Sequence, residues 1–201
     1  MTPKQKYIES QTKDCRERWF KDHVAVWIDK PAWVDSAAIA PTSAMLISWQ
    51  NPKSWNYGCR FIIHRRWLCI VGDIGEAVFQ WSEDLTLDFL AGIDLHYFLG
   101  KCQASPEGRK FEQWDGKVAW QINRQWVEGE PLDTDLCEYL TELDKDSTKE
   151  DYEEQAKNCY DDTGDAETAS TISDMGVVPS VHAIGMFVGL QMAIAQLKAA
   201  K

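Results

Sequence analysis

Between Met175 and Leu197 the chain carries no formally charged residue. Such a run admits few structures. From roughly Ser180 to Ala199 it is apolar on most faces of a helix, so that helix has to be enclosed on nearly every side, by protein or by lipid. His182, Gln191 and Gln196 interrupt it, and glycines and alanines dilute its hydrophobicity, which reads as a buried core helix and not as a membrane span. Gly185, Gly189 and Ala193 recur at every fourth position, making a small face that another backbone can approach closely. That face suits intramolecular packing or a homodimer seam.

A partner layer for this helix is legible upstream. Ser43–Trp81 is the clearest β region. Met45–Trp49 reads as a strand, ended by Asn51-Pro52, and Cys59–His64 and Trp67–Val71 read as a hairpin across His64-Arg65-Arg66-Trp67, a turn without the usual Asn-Gly. Gly72-Asp73-Ile74-Gly75 is a second turn, and Ala77–Trp81 another strand. Residues 4–24 read as a helix and residues 25–42, punctuated by Pro31 and Pro41, as irregular. Ser82 is expected to cap a helix with Glu83 and Asp84 in its first turn, and Leu95–Cys102 to form a second short helix. Trp114-Asp115-Gly116-Lys117 reads as a hairpin between Lys110–Trp114 and Lys117–Ile122. The expected class is α+β: an antiparallel sheet of three to six strands packed with helices, an acidic helical segment and an apolar C-terminal helix. Ten tryptophans suit such a core, with one or two left for an aromatic contact surface.

Charge divides the chain more sharply than hydropathy does. Residues 130–167 hold fifteen acids against three lysines, a net of −12, whereas residues 1–129 hold sixteen of each sign. The linear division is a neutral, Trp-rich body (1–129), an acidic helical segment (130–167), and a linker with the C-terminal helix (168–201) completing the same domain. Leu136, Tyr139, Leu140 and Leu143 form a helical apolar stripe, so the acidic segment is folded. Ser147-Thr148-Lys149-Glu150 matches a capping box, and Tyr152, Ala156, Cys159 and Tyr160 continue as a second stripe. Ala166–Gly176, small and Ser/Thr-rich, reads as a loop. The acids turned outward are Asp135, Glu138, Glu142, Asp144, Asp146, Glu150, Asp151, Glu153, Glu154, Asp161 and Asp162. A folded anionic face repels phosphate and attracts basic partners, so direct contact with nucleic acid through it is excluded. Its bland reading is a solvated face that keeps the chain soluble.

Catalytic and metal signatures are weak. His64, Asp73, Glu76, Asp88 and His96 are the residues that acid–base or metal chemistry would recruit, but the histidines lack ligand spacing and no nucleophile is paired with a base. His23 and His182 read as structural. Asp161–Glu167 fails as a calcium loop because Cys159 falls where the first Asp is needed. Arg60, Arg65 and Arg66 surround a Trp-bearing hairpin, a pattern that suits phosphate contact and stacking or, more plainly, the guarding of a sheet edge. Six cysteines show no C-x-x-C, and the opening MTPKQKYIES has no apolar signal region, so the thiols read as reduced and the location as cytoplasmic. No metal and no cofactor are expected.

The blocks Trp55-Asn56-Tyr57-Gly58-Cys59-Arg60-Phe61 and Leu68-Cys69-Ile70-Val71-Gly72-Asp73-Ile74-Gly75-Glu76-Ala77-Val78, with Phe98-Leu99-Gly100-Lys101-Cys102-Gln103-Ala104-Ser105, resemble a group of small bacteriophage- and prophage-encoded accessory proteins. The resemblance covers roughly residues 45–115 and carries no catalytic motif. It implies a phage product made in the cytoplasm of an infected bacterium, of the kind that antagonises host defence, as anti-CRISPR and anti-restriction proteins do. With the acidic face, the expected function is non-enzymatic inhibition of a basic, nucleic-acid-binding host complex, with no membrane involved. The alternatives are a metal-dependent enzyme and a homo-oligomeric adaptor organised by the C-terminal helix.

Overall fold

The computed structural model describes residues 1–30, 44–54, 56–106, 111–128 and 139–200. In chain order its elements are α1 (Pro3–Asp14), a π-helical turn (Cys15–Trp19), β1 (Val24–Asp29), β2 (Met45–Gln50), β3 (Cys59–His64), β4 (Trp67–Gly72), β5 (Ala77–Gln80), α2 (Leu87–Gly92), α3 (Leu95–Leu99), β6 (Cys102–Ala104), β7 (Glu112–Trp114), α4 (Gly116–Glu128), α5 (Lys149–Thr163), α6 (Ala166–Ser173), β8 (Val177–Pro179) and α7 (Val181–Ala199). The class is α+β. Two units are distinguished: a sheet unit of Ser10–Phe111 with Ser180–Lys201, and a helical unit of Met1–Glu9 with Glu112–Pro179. The charge boundaries of the sequence are therefore not the packing boundaries. The acidic stretch shares its unit with α4, and α7 belongs with the sheet.

In the sheet unit, β1 to β6 form one antiparallel sheet in sequence order. Alternation sets its inner face. Met45 pairs with Ile63, Ile63 with Leu68 and Leu68 with Phe79, and the next row runs Ile47, Phe61, Ile70, Ala77. All eight are buried. On the opposite face Val24, Val26, Trp67 and Val71 remain exposed. At the end of β4, Gly72 (φ +151°) lies against the Gly58 carbonyl so closely that a Cβ would sit 2.3 Å from that oxygen. Only glycine fits there.

The charge-free helix α7 covers the inner face and is buried along most of its length, from Ala183 to Leu197. Among the described residues it is the one helix long and apolar enough to cross a membrane, and that surface is largely enclosed by its own unit. Its polar interruptions are matched. Gln191 donates to the Leu90 carbonyl at 2.7 Å, while Gln196 accepts from Ala25 N (3.0 Å) and donates to the His23 carbonyl (2.9 Å). Gln196 thereby occupies backbone groups of edge strand β1 that would otherwise lie open to another strand. The unit's own aromatic rings lie against the small face that Gly185, Gly189 and Ala193 make. A Cβ on Gly185 would meet Trp19 at 2.9 Å, one on Gly189 would meet Trp49 Nε1 at 3.3 Å and Phe20 at 3.4 Å, and Ala193 is fully buried.

The helical unit has a separate core of Ala119, Leu140, Leu143, Tyr152, Ala156, Cys159, Ile172 and Met175, flanked by Trp114, Ile122 and Trp126. Asn123, buried in α4, donates through Nδ2 to the Leu140 carbonyl (3.1 Å) and towards that of Leu143 (3.5 Å). The Tyr152 hydroxyl lies beside it, and burial raises that phenol's pKa while the Asn123 side chain lowers it. Strands β7 and β8 form a short ribbon closing the unit.

Several local readings are corrected. Val24–Asp29 is a strand: its alternation is real but is obscured by tryptophan on the half-buried side. The Lys117–Ile122 hairpin arm is helix α4, because Asp115 accepts from Val118 N (2.9 Å) as an N-cap and Val118, Ala119, Ile122 and Asn123 recur at helical spacing. The partner of β7 is instead β8, more than sixty residues away. The segment after Gly164 is helix α6, capped by Asp165. Thr86, not Ser82, caps α2, accepting from Phe89 N at 3.0 Å. The first helix stops its regular α course at Asp14, and Cys102 lies in β6. Leu136, Cys137, Lys110, Trp33, Trp55 and the segment 31–43 lie outside the described residues.

Two outcomes follow for the sheet unit. Gly189→Leu should lower unfolding stability by ~2 kcal/mol or more in urea titration, through overpacking against Trp49 and Phe20, with no change of mass in light scattering. His23 is buried, with Nε2 donating to the Tyr57 carbonyl (3.2 Å), and burial holds its pKa below the usual 6.5. The unfolded chain therefore takes up the proton first, and stability should fall as pH drops below about 6.5 towards the lower folded value. Urea midpoints at pH 7.5, 6.5 and 5.5 measure this slope, which His23→Gln should flatten.

Candidate acidic interaction face

The acids of the helical unit are placed by capping chemistry. In the turn before α5, Asp144 Oδ1 accepts from Asp146 N (2.8 Å), and Ser147 Oγ accepts from Asp144 N (2.8 Å). With Ser147 so engaged, the cap falls one residue later than the sequence motif places it. Thr148 Oγ1 accepts from Asp151 N, and the Asp151 carboxylate accepts from Thr148 N, completing the capping box. Gly164 ends α5 in the left-handed region (φ +71°), its N–H bonded to the Tyr160 carbonyl. Asp165 then accepts from the N–H groups of Glu167 and Thr168 and opens α6.

Hydrogen bonds hold two of these carboxyls below their usual pKa range. For Asp151 the main cause is the Thr148 N–H, and for Asp165 the Thr168 hydroxyl, followed by backbone N–H groups. Both are ionised at neutral pH.

Helical periodicity then sets direction. At about 100° per residue, Glu150, Glu154 and Asp161 fall within about 40° of one line, on the side of α5 opposite the buried Tyr152, Ala156 and Cys159. Asp151 and Asp162 lie on one flank of that line. On the same flank the preceding turn completes a groove of about 290 Å³ lined by Glu142, Asp144, Asp146, Asp151 and Glu154. Two bonds tie the turn and the segment before it to this flank: Gln155 donates to Glu142 (2.8 Å) and Tyr139 to Asp162 (2.9 Å). Glu153 is set apart on the other flank, in an ion pair with Lys149 at 3.0 Å. Among the described residues that is the one ion pair within the stretch, and no arginine neutralises it. Asp135 and Glu138 lie outside the described residues.

Glu142, Asp144, Asp146, Glu150, Asp151, Glu154, Asp161 and Asp162 are all exposed. Residues 139–167 hold eleven acids against three lysines, a net of −8. Along α5 itself, about 22 Å long, six acids against two lysines give roughly one net charge per 6 Å, against one per ~1.7 Å for duplex DNA. Sequence reasoning missed the two tethers from Gln155 and Tyr139, which join residues thirteen and twenty-three positions apart and leave no local pattern.

The remaining candidates stay apart. His64 ends β3, Asp73 and Glu76 border the turn before β5, Asp88 lies in α2 and pairs with Lys198, and His96 lies in α3. Among the described residues no group of three or more His, Cys, Asp or Glu side chains is placed to hold a metal ion. The five described cysteines are free, and burial raises the thiols of Cys15, to about 12, and of Cys59 and Cys69, which makes poor nucleophiles. His182 opens α7 next to its cap, Ser180. Arg60 lies on the open face of the sheet, opposite Val71, and Arg65 and Arg66 make the β3–β4 turn.

Comparison with known proteins finds no matching family model, no similar curated protein and no similar solved structure.

The cap is open to direct test. Thr148→Ala should cost ~1 kcal/mol, the usual worth of a threonine N-cap, and accelerate amide exchange in the first turn of α5. The Asp151 half of the box should be fully present above the unfolded carboxylate value and vanish as pH falls through the lower folded one. Exchange profiles at pH 5 and pH 3, compared with Asp151→Asn, read that loss.

Proposed function

We propose that the chain is a non-enzymatic inhibitor whose acidic face occupies a basic groove on a nucleic-acid-binding protein. The observation that carries this reading is the gathering of exposed carboxylates onto one outward side and one flank of α5, where Lys157 is the one interspersed cation and no arginine among the described residues neutralises them. A face used only for solubility has no need of one-sidedness, since scattered charge keeps a surface in water equally well. Complementarity of this kind mainly speeds encounter and fixes register, so binding should weaken steeply with salt. The charge along α5 is sparser than that of a duplex, which fits competition for part of a groove better than replacement of a long helix of DNA.

The finer reading rests on the resemblance of residues 45–115 to small phage-encoded proteins. In it the target is a host defence complex of the CRISPR or restriction type, met in the cytoplasm of an infected bacterium.

The test reverses charge without disturbing the caps. Asp144, Asp151 and Asp165 hold backbone and are left intact. Glu150→Lys, Glu154→Lys and Asp161→Lys together should reduce capture of a basic nucleic-acid-handling protein from host lysate at least tenfold, with an unchanged circular-dichroism spectrum. Lys149→Ala with Glu153→Ala, on the other flank, should leave capture intact. Capture that survives both the triple reversal and 0.5 M salt would refute the reading.

A further inference from the structure

The sheet unit carries a second feature of opposite character. At the tip of the β3–β4 hairpin, His64, Arg65, Arg66 and Trp67, with Asp84 from the segment after β5, line an open cavity of about 560 Å³. That size lies in the ~300–1,000 Å³ range of small-molecule sites. Two arginines, a histidine and an indole thus meet in one place on a chain whose net charge is −11. Among the described residues neither guanidinium has an ion-pair partner, and Trp67 is 38% exposed.

The backbone gives the stronger indication. The hairpin turns on two residues, with His64 paired to Trp67, and Arg65, the first of the two, has φ +52°. Glycine takes that conformation without cost, whereas an arginine there is strained by its Cβ. The turn is held regardless, because both of its carbonyls are engaged. Leu85 N donates to Arg65 O at 2.8 Å and Trp81 N donates to Arg66 O at 3.0 Å. The segment bearing Asp84 is thereby fixed against the tip. The brace holds Arg65 and Arg66 in place at the cavity that both line.

We infer that this cavity binds a free mononucleotide. Adjacent guanidiniums suit a phosphate, which they meet with paired N–H donors. The Trp67 indole offers a stacking plane for a base. Asp84 disfavours a bare polyanion and suits a ligand that sets hydroxyl or amino donors next to its phosphate, as a ribose or base does. A free nucleotide fits better than a strand because the net charge of the chain repels an extended polyanion.

Isothermal titration of the full chain with AMP, ADP, inorganic phosphate, ribose 5-phosphate and a ten-nucleotide single strand tests this. AMP or ADP should bind at sub-millimolar concentration, and phosphate and ribose 5-phosphate at least tenfold more weakly. The deciding variant is Arg65→Gly, which removes the guanidinium while relieving the backbone. It should keep or raise the melting temperature and lose at least tenfold in nucleotide affinity. Trp67→Leu should lose a similar factor for AMP but little for inorganic phosphate. Absence of nucleotide binding at 1 mM, equal affinity in Arg65→Gly, equal binding of phosphate and AMP, or tighter binding of the single strand than of AMP would each overturn the assignment. None of these outcomes bears on the acidic face, which lies in the other unit.

Discussion

The sheet unit depends on the enclosure of one helix. A helix without charge from Val181 to Leu197 cannot face water along its length, and the inner face of the six-stranded sheet is the surface that receives it. The fit is set by size. Two rows of buried aliphatic and aromatic side chains form the floor, and glycines at positions 185 and 189 let Trp19, Trp49 and Phe20 come against the helix backbone. Removing the apolar face of α7 from water supplies stabilisation at roughly 25 cal/mol per Å². Its glutamines satisfy backbone groups of Leu90, His23 and Ala25 and avoid the cost of buried unpaired polar atoms.

The helical unit solves a different problem, that of folding a segment whose like charges repel. It does so by giving the acids separate duties. Asp144, Asp151 and Asp165 accept backbone N–H groups and fix the turn and the starts of α5 and α6. Leu140, Leu143, Tyr152, Ala156 and Cys159 turn inward to a core in which Asn123 holds the carbonyls of the preceding turn. The other carboxylates point outward because the same periodicity that buries one face exposes the opposite one. Capping and burial thereby fix the carboxylates that the proposed inhibitory role uses.

Much of this was legible in the residues. Strands β2 to β5 follow from alternation and α5 from helical spacing, because each buries one face, while α7 follows from its lack of charge, which requires enclosure on most sides. The misreadings share a cause. Asp-Gly at 115–116 is both a hairpin signal and a helix start, and the choice depends on β8, which no local window contains. Ala166–Ser173 carries few large apolar residues, so its helix rests on the Asp165 cap and on Ile172 reaching a core built by other segments. Gly185, Gly189 and Ala193 show that something approaches closely but not whether it is the same chain or a second one.

By itself the sequence determined composition along the line: where charge is absent and must be enclosed, where acids are dense, and which short runs have the period of a strand or a helix. Those are properties of neighbouring residues and need no knowledge of what lies across the fold. Tertiary structure decided everything that depends on distant groups meeting. It placed Trp49 over Gly189, joined Glu142 to Gln155 across the acidic flank, and braced an arginine in a left-handed turn with the backbone of Trp81 and Leu85. Hydrogen bonding and close packing act over a few ångströms of space, and only the folded chain sets which residues fall within that range.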